Sequence, residues 1–150
     1  MNRADSATLR EIRAVLNLEA RALERAAASV DASYLKAMAL LARCRGKVAV
    51  TGVGKSGLIA QKVAATLTST GTPAFFLHAA DALHGDLGTV QRQDVVLAFG
   101  KSGESAELND LLPAVRRIGA KLIAVTANTR STLARAAQAA IFVPIEREAC

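Results

Sequence analysis

A chain of 150 residues that is 51% hydrophobic, with a mean hydropathy of +0.25, suits one well-buried globular domain and excludes a disordered polypeptide. The net charge of +6 and pI near 9.9 raise nucleic acid as a partner, but aromatics make up only 3% and no basic run exceeds two residues. Seven arginines are spread over the first 45 residues, so a solvated basic helix face beside a site for anionic metabolites accounts for the charge better.

No apolar run approaches the ~20 residues that span a bilayer. The N-terminus, MNRADSATLREIRAVL, carries charges throughout and lacks the apolar centre of a signal peptide, so the expectation is a cytoplasmic protein without a membrane partner. Cys44 and Cys150 have neither metal-site nor redox spacing, and no metal site is expected.

In chain order, residues 6–44 carry helical periodicity. Leu9, Ile12 and Leu16 recur at i, i+3 and i+7, Leu23 follows, and Arg and Glu fill the intervals. Ser29-Val30-Asp31 divides the stretch into two helices, the second carrying Tyr34, Met38 and Leu41. Such helices ahead of an α/β unit suit packing or oligomer surfaces. From Lys47 the pattern changes to strand, turn and helix in alternation. Strands are expected at 48–53, 74–77, 95–99, 122–126 and 140–145, with helices at 56–69, 104–118 and 131–137. Near-continuous apolar strands between helices predict a parallel sheet covered on both faces. Ligands of such sheets bind at the carboxyl ends of the strands.

The first turn, Gly52-Val53-Gly54-Lys55-Ser56-Gly57, combines glycines that let the backbone turn sharply with helix amides that favour an anion. It fits G-x-G-x-x-G, but a nicotinamide site wants an acid at the end of the second strand, and Asp81 falls too late. A Walker A loop fails because its first glycine would fall on Ala49. A second turn, Gly100-Lys101-Ser102-Gly103-Glu104-Ser105, repeats the plan after the third strand. Two serine-bearing turns on neighbouring strand ends point to one compact anion held from both sides, although N-capping competes for Ser102.

Between them lies HAADALHGDLGT (78–89), in which His84 sits beside Gly85 and Asp86, while His78 takes an ordinary structural reading. Glu104 and Glu107 share a face in the first turn of a helix, and Glu146-Arg147-Glu148 follows the last strand.

Five stretches in order, GVGKSG (52–57), STGTPAFFLH (69–78), HGDLG (84–88), KSGESAE (101–107) and EREAC (146–150), resemble the sugar isomerase (SIS) domain. Within it they are similar to the arabinose-5-phosphate isomerases of the KpsF/GutQ type, over essentially the whole chain. The resemblance implies a three-layer αβα sandwich of flavodoxin-like order. A five-stranded parallel sheet fills residues 46–150, and N-terminal helices fill 1–45. It further implies a homotetramer and interconversion of D-arabinose 5-phosphate and D-ribulose 5-phosphate, feeding Kdo synthesis for lipopolysaccharide or capsule, with no cofactor.

By motif, the implied catalytic residues are Lys55, His84, Glu107 and Glu148. The substrate-binding set is Gly54, Ser56, Ser102, Gly103, Glu104 and Ser105. Three departures stand out. Gly100-Lys101 replaces the usual Ser-Asn, and the chain ends at Cys150 where the family continues into another helix bearing a histidine, without the paired CBS domains of the long forms. The expectation is a chain truncated at its C-terminus. A non-catalytic phosphosugar sensor is the alternative from another class.

Overall fold

A computed structural model describes residues 3–145, so Glu148 lies outside the described residues. Two compact units are distinguished: residues 31–142, and residues 1–30 with those from 143 onward. In the latter, α1 spans Arg3–Ala28 with Asp5 in its first turn and Arg25 in its last, each complementing the helix dipole. The face read from the periodicity is amphipathic as expected, and its apolar members Leu9, Ile12, Leu16 and Leu23 are exposed.

The unit 31–142 opens with α2 (Ala32–Ala42), whose N-cap Asp31 accepts a hydrogen bond from Ser33 N–H at 2.8 Å. The Ser29–Asp31 break is therefore a helix start as well as a helix stop. Next come β1 (Val48–Gly52), α3 (Lys55–Ser69), β2 (Ala74–His78), α4 (Ala79–Leu83) and β3 (Val95–Phe99). The unit closes with α5 (Ala106–Ile118), β4 (Lys121–Thr126), α6 (Thr132–Ala136) and β5 (Ala139–Phe142).

The five strands form one parallel sheet in the order β2-β1-β3-β4-β5. Side chains alternate across it. Val48, Val50, Val95, Leu97 and Ile123 face α2 and α3, meeting Ala37, Ala60 and Ala64. Ala49, Val96, Ala98, Leu122 and Ala124 face the other helices, meeting Ala79, Ala82, Leu108, Leu111, Val115 and Leu133. Both faces are dry, which is why the strands read as apolar runs; each large core side chain contributes about 1.5–3 kcal/mol.

Most boundaries fall within a residue of the expectation, and three differences are larger. The fifth strand stops at Phe142 rather than 145, because Pro144 offers no N–H to a ladder. The helix expected from 104 begins at Ala106, since Gly103 takes φ 66° and Ser105 is extended. Residues 78–89, read as a polar connection, contain α4 and a 3-10 turn at Asp86–Thr89.

At the opposite end of the sheet from the strand ends lies a structural knot. Asp94, 1% exposed, accepts hydrogen bonds from Lys47 N–H (2.9 Å), Gln91 N–H (2.8 Å) and the Lys47 ammonium (3.1 Å), joining the starts of β1 and β3. Burial opposes its charge, but these hydrogen bonds outweigh it and hold the carboxyl below its usual range.

Candidate active site

The register fixes which loops can cooperate. Gly52 is paired with Phe99 on one side and His78 on the other, so β1, β2 and β3 end level, and β4, whose Val125 pairs with Phe99, runs one residue further. Strand order reverses between β1 and β3. β1 feeds α3 on one face, and β3 feeds α5 on the other. Their turns therefore part at the topological switch point, the place where ligands of doubly wound sheets bind.

The β1–α3 turn is shaped by glycines in direct contact with its own backbone. A Cβ on Gly52 would lie 2.7 Å from Ser56 O, and one on Gly57 would lie 2.9 Å from Gly52 O. These two residues thus let α3 start hard against β1. Gly54, at φ 58° and ψ −127°, N-caps α3 with no side-chain cap. The first amides of a 15-residue helix thereby have no capping side chain, beside an exposed Lys55 and a half-buried Ser56, an arrangement chemically suited to an anion.

The β3–α5 turn is held from outside. Lys101 O accepts hydrogen bonds from Ala127 N–H (3.0 Å) and from Thr126 Oγ1 (3.1 Å), and Gly103 O accepts one from Leu133 N–H (3.1 Å). Gly103 packs so closely that an added Cβ would overlap the Ser131 hydroxyl. Ser102 Oγ accepts a hydrogen bond from Glu104 N–H at 3.2 Å, a local turn bond and not the helix cap weighed for it, since Ser105 is the N-cap of α5; its hydroxyl can still donate to a ligand. Ser105 is the N-cap residue of α5, yet its side chain makes no cap hydrogen bond.

Of the acids, Glu107 is half-buried in the first turn of α5, and among the described residues its carboxylate has no hydrogen-bond or ion-pair partner. The Glu104 carboxylate is engaged. Oε1 accepts a hydrogen bond from Thr132 N–H at 2.9 Å, and Oε2 one from Asn109 Nδ2 at 3.4 Å. Those bonds, the Thr132 ones first, hold its carboxyl below the usual glutamate range.

His84 ends α4, exposed, just before Gly85 at φ 129°. The shared packing of Ala79, Ala82, Leu108 and Leu111 sets α4 against α5, so the His84 segment and the α5 start belong to one face. His78 instead pairs locally, with Nδ1 3.4 Å from Asp81 Oδ2, in keeping with its structural reading.

Sequence reasoning missed Thr126, the last residue of β4, and Thr132, the first of α6, which bond the second turn directly, together with Asn128 and Ser131, which are hydrogen-bonded between them. Ser131 looked like any polar loop residue, although it caps α6 through Ala134 N–H (3.2 Å) and is fully buried. A hollow of about 950 Å³ lies elsewhere, between α5, α6 and the starts of β4 and β5, and its lining includes none of the nominated residues. Among the described residues no cluster of metal-ligand side chains occurs, and no helix is long and apolar enough to cross a membrane.

Comparison with known proteins adds the following. The SIS domain family model matches residues 40–150. The arabinose 5-phosphate isomerase KdsD of Pseudomonas aeruginosa is 45% identical over 135 residues, 90% of this chain and 41% of that protein. The arabinose 5-phosphate isomerase GutQ of Salmonella typhi is 44% identical over 138 residues, 92% of this chain and 43% of that protein. The chain thus spans about two fifths of the length of these relatives. A solved Escherichia coli CFT073 protein in complex with arabinose 5-phosphate superposes with a TM-score of 0.92 at 41% identity, covering all of this chain and 79% of that one.

Proposed function

Because this chain belongs to the SIS domain family, we propose that it interconverts D-arabinose 5-phosphate and D-ribulose 5-phosphate through an enediol. The observation that supports the reading is that the β1–α3 and β3–α5 turns leave adjacent strand ends toward opposite faces of the sheet. The likeness to KdsD and GutQ supplies the substrate.

In the proposed mechanism the phosphate is held by the first amides of α3 with Ser56, Ser102 and Ser105. Gly54 and Gly103 give the turns the shape that admits it. A fixed phosphate places C1 and C2 of the sugar within reach of the neighbouring side chains. Glu107 or Glu148 removes the C2 proton, the C–H electron pair forms the C1–C2 double bond, and the C1 carbonyl oxygen takes up a proton. Loss of the C2 hydroxyl proton as a proton returns to C1 then collapses the enediol and leaves the carbonyl at C2. Electrons move only within the substrate, so the step needs no redox partner. Lys55 stabilises the developing oxyanion, and His84 assists ring opening or relays the hydroxyl proton. A homotetramer, a cytoplasmic location and supply of Kdo synthesis belong to the same proposal and rest on the family resemblance.

The test is incubation of the 150-residue chain with D-ribulose 5-phosphate, following D-arabinose 5-phosphate by chromatography. Appearance of the aldose is expected. Thermal stabilisation by the sugar phosphate without turnover would replace the isomerase with a sensor.

A further inference from the structure

We propose that Glu104 is a positioning residue: its carboxylate staples the β3–α5 turn to the first residue of α6 and so sets where that turn presents its donors to the phosphate. The inference rests on the phosphosugar reading above and reassigns Glu104, which sequence alone places among the substrate contacts.

Among the described residues, four hydrogen bonds tie Lys101–Glu104 to the last residue of β4 and the segment that follows it. Three of them end on main-chain carbonyls, those of Lys101 and Gly103, which any residue would supply. Glu104 provides the fourth, from its side chain to Thr132 N–H at 2.9 Å. Thr132 is the first residue of α6, so its amide has no partner within the helix, and the Ser131 cap is already given to Ala134 N–H. The second carboxylate oxygen is turned to Asn109 on α5. Both oxygens are thus engaged by α5 and α6 instead of being left to face a phosphate dianion, which a carboxylate would repel. The staple thus supports the turn and keeps its single negative charge off the ligand.

Two variants of the full chain separate this role from direct contact. Glu104→Ala removes the acceptor. Thr132→Pro removes the donor without touching the turn, and proline is tolerated at the first helical position, after an extended residue such as Ser131. Each is expected to raise KM for D-arabinose 5-phosphate about tenfold, with kcat within about twofold, the scale of one lost charge-assisted hydrogen bond. The double variant should be no worse than either single one. Glu104→Gln, whose amide oxygen accepts the same bond, should restore KM to within about threefold of the parent.

Amide exchange measured by NMR gives a readout independent of turnover. Thr132 N–H should exchange faster in Glu104→Ala and stay protected in Glu104→Gln. Unchanged Thr132 exchange in Glu104→Ala overturns the proposal. So do additive KM effects of the two single variants, or a Glu104→Gln as impaired as Glu104→Ala while Thr132 stays protected. If the parent turns over no pentose phosphate, the isomerase reading fails, and the exchange experiment still decides the staple.

Discussion

The turn after β1 is closed by its own backbone, whereas the turn after β3 is held by a neighbour. In the first, Gly52 and Gly57 touch and Gly54 takes a conformation that suits glycine alone, all within six residues. In the second, hydrogen bonds from 25 and 28 residues further along the chain fix Lys101 O and the Glu104 carboxylate. The proposed anion site thus combines one local device and one non-local one. The local half should be robust to changes elsewhere, and the non-local half should be open to adjustment through the loop after β4.

The largest expected effect lies where the second turn meets the chemistry. Glu107→Gln should lower turnover by roughly 10²–10⁴-fold, the range for loss of a general acid or base, while binding of the sugar phosphate measured by calorimetry persists. Near-parental turnover would move the base elsewhere, Glu148 being the remaining candidate.

Next come the glycines, which set the two turns against each other. Gly103→Ala combines φ 66° with a clash against the Ser131 hydroxyl, so a loss of about 3 kcal/mol in denaturant unfolding is expected, with displacement of the whole second turn. Gly54→Ala has open space around its Cβ and only the conformational cost, about 1–3 kcal/mol. Gly54→Ala should therefore be the milder for stability yet still weaken phosphate binding. Equal stability losses would contradict the contrast.

The smallest effect on the site is expected from the far end of the sheet. The Asp94 carboxyl is held below its usual value in the folded chain, so it stabilises the fold above its unfolded pKa. That contribution is lost as pH falls through the folded pKa. Melting temperature should drop in acid, below about pH 4, and this dependence should shrink in Asp94→Asn, while KM at neutral pH stays unchanged. A KM shift in Asp94→Asn would show that the two ends of the strands are coupled.

The division between local and non-local also explains what the sequence made legible. β1, its glycine turn and α3 could be read because every determinant lies within a few residues, as with Gly52, Gly54 and the uncapped start at Lys55. The five-stranded parallel sheet followed from apolar runs that only two-sided burial explains, and the N-terminal periodicity gave a helix on each side of Ser29–Asp31.

Other features were hidden. The five residues of α4 are too few to show a helical period, so Ala79 and Ala82 passed as loop residues although both are buried against α5. The bracing of the second turn by Thr126, Ser131 and Thr132 depends on strand register, which periodicity does not encode. Glu104 and Glu107 share a helix face in the sequence, but the helix starts only at Ala106, so the two acids part company.

The central claim, that both turns grip one phosphate, is tested most directly by an NMR titration of the full chain with D-arabinose 5-phosphate. Amides of Lys55 and Ser56 should shift together with those of Ser102 to Ser105, saturating at a single dissociation constant. Response of only one turn, or of the amides lining the hollow between α5 and α6, would contradict it.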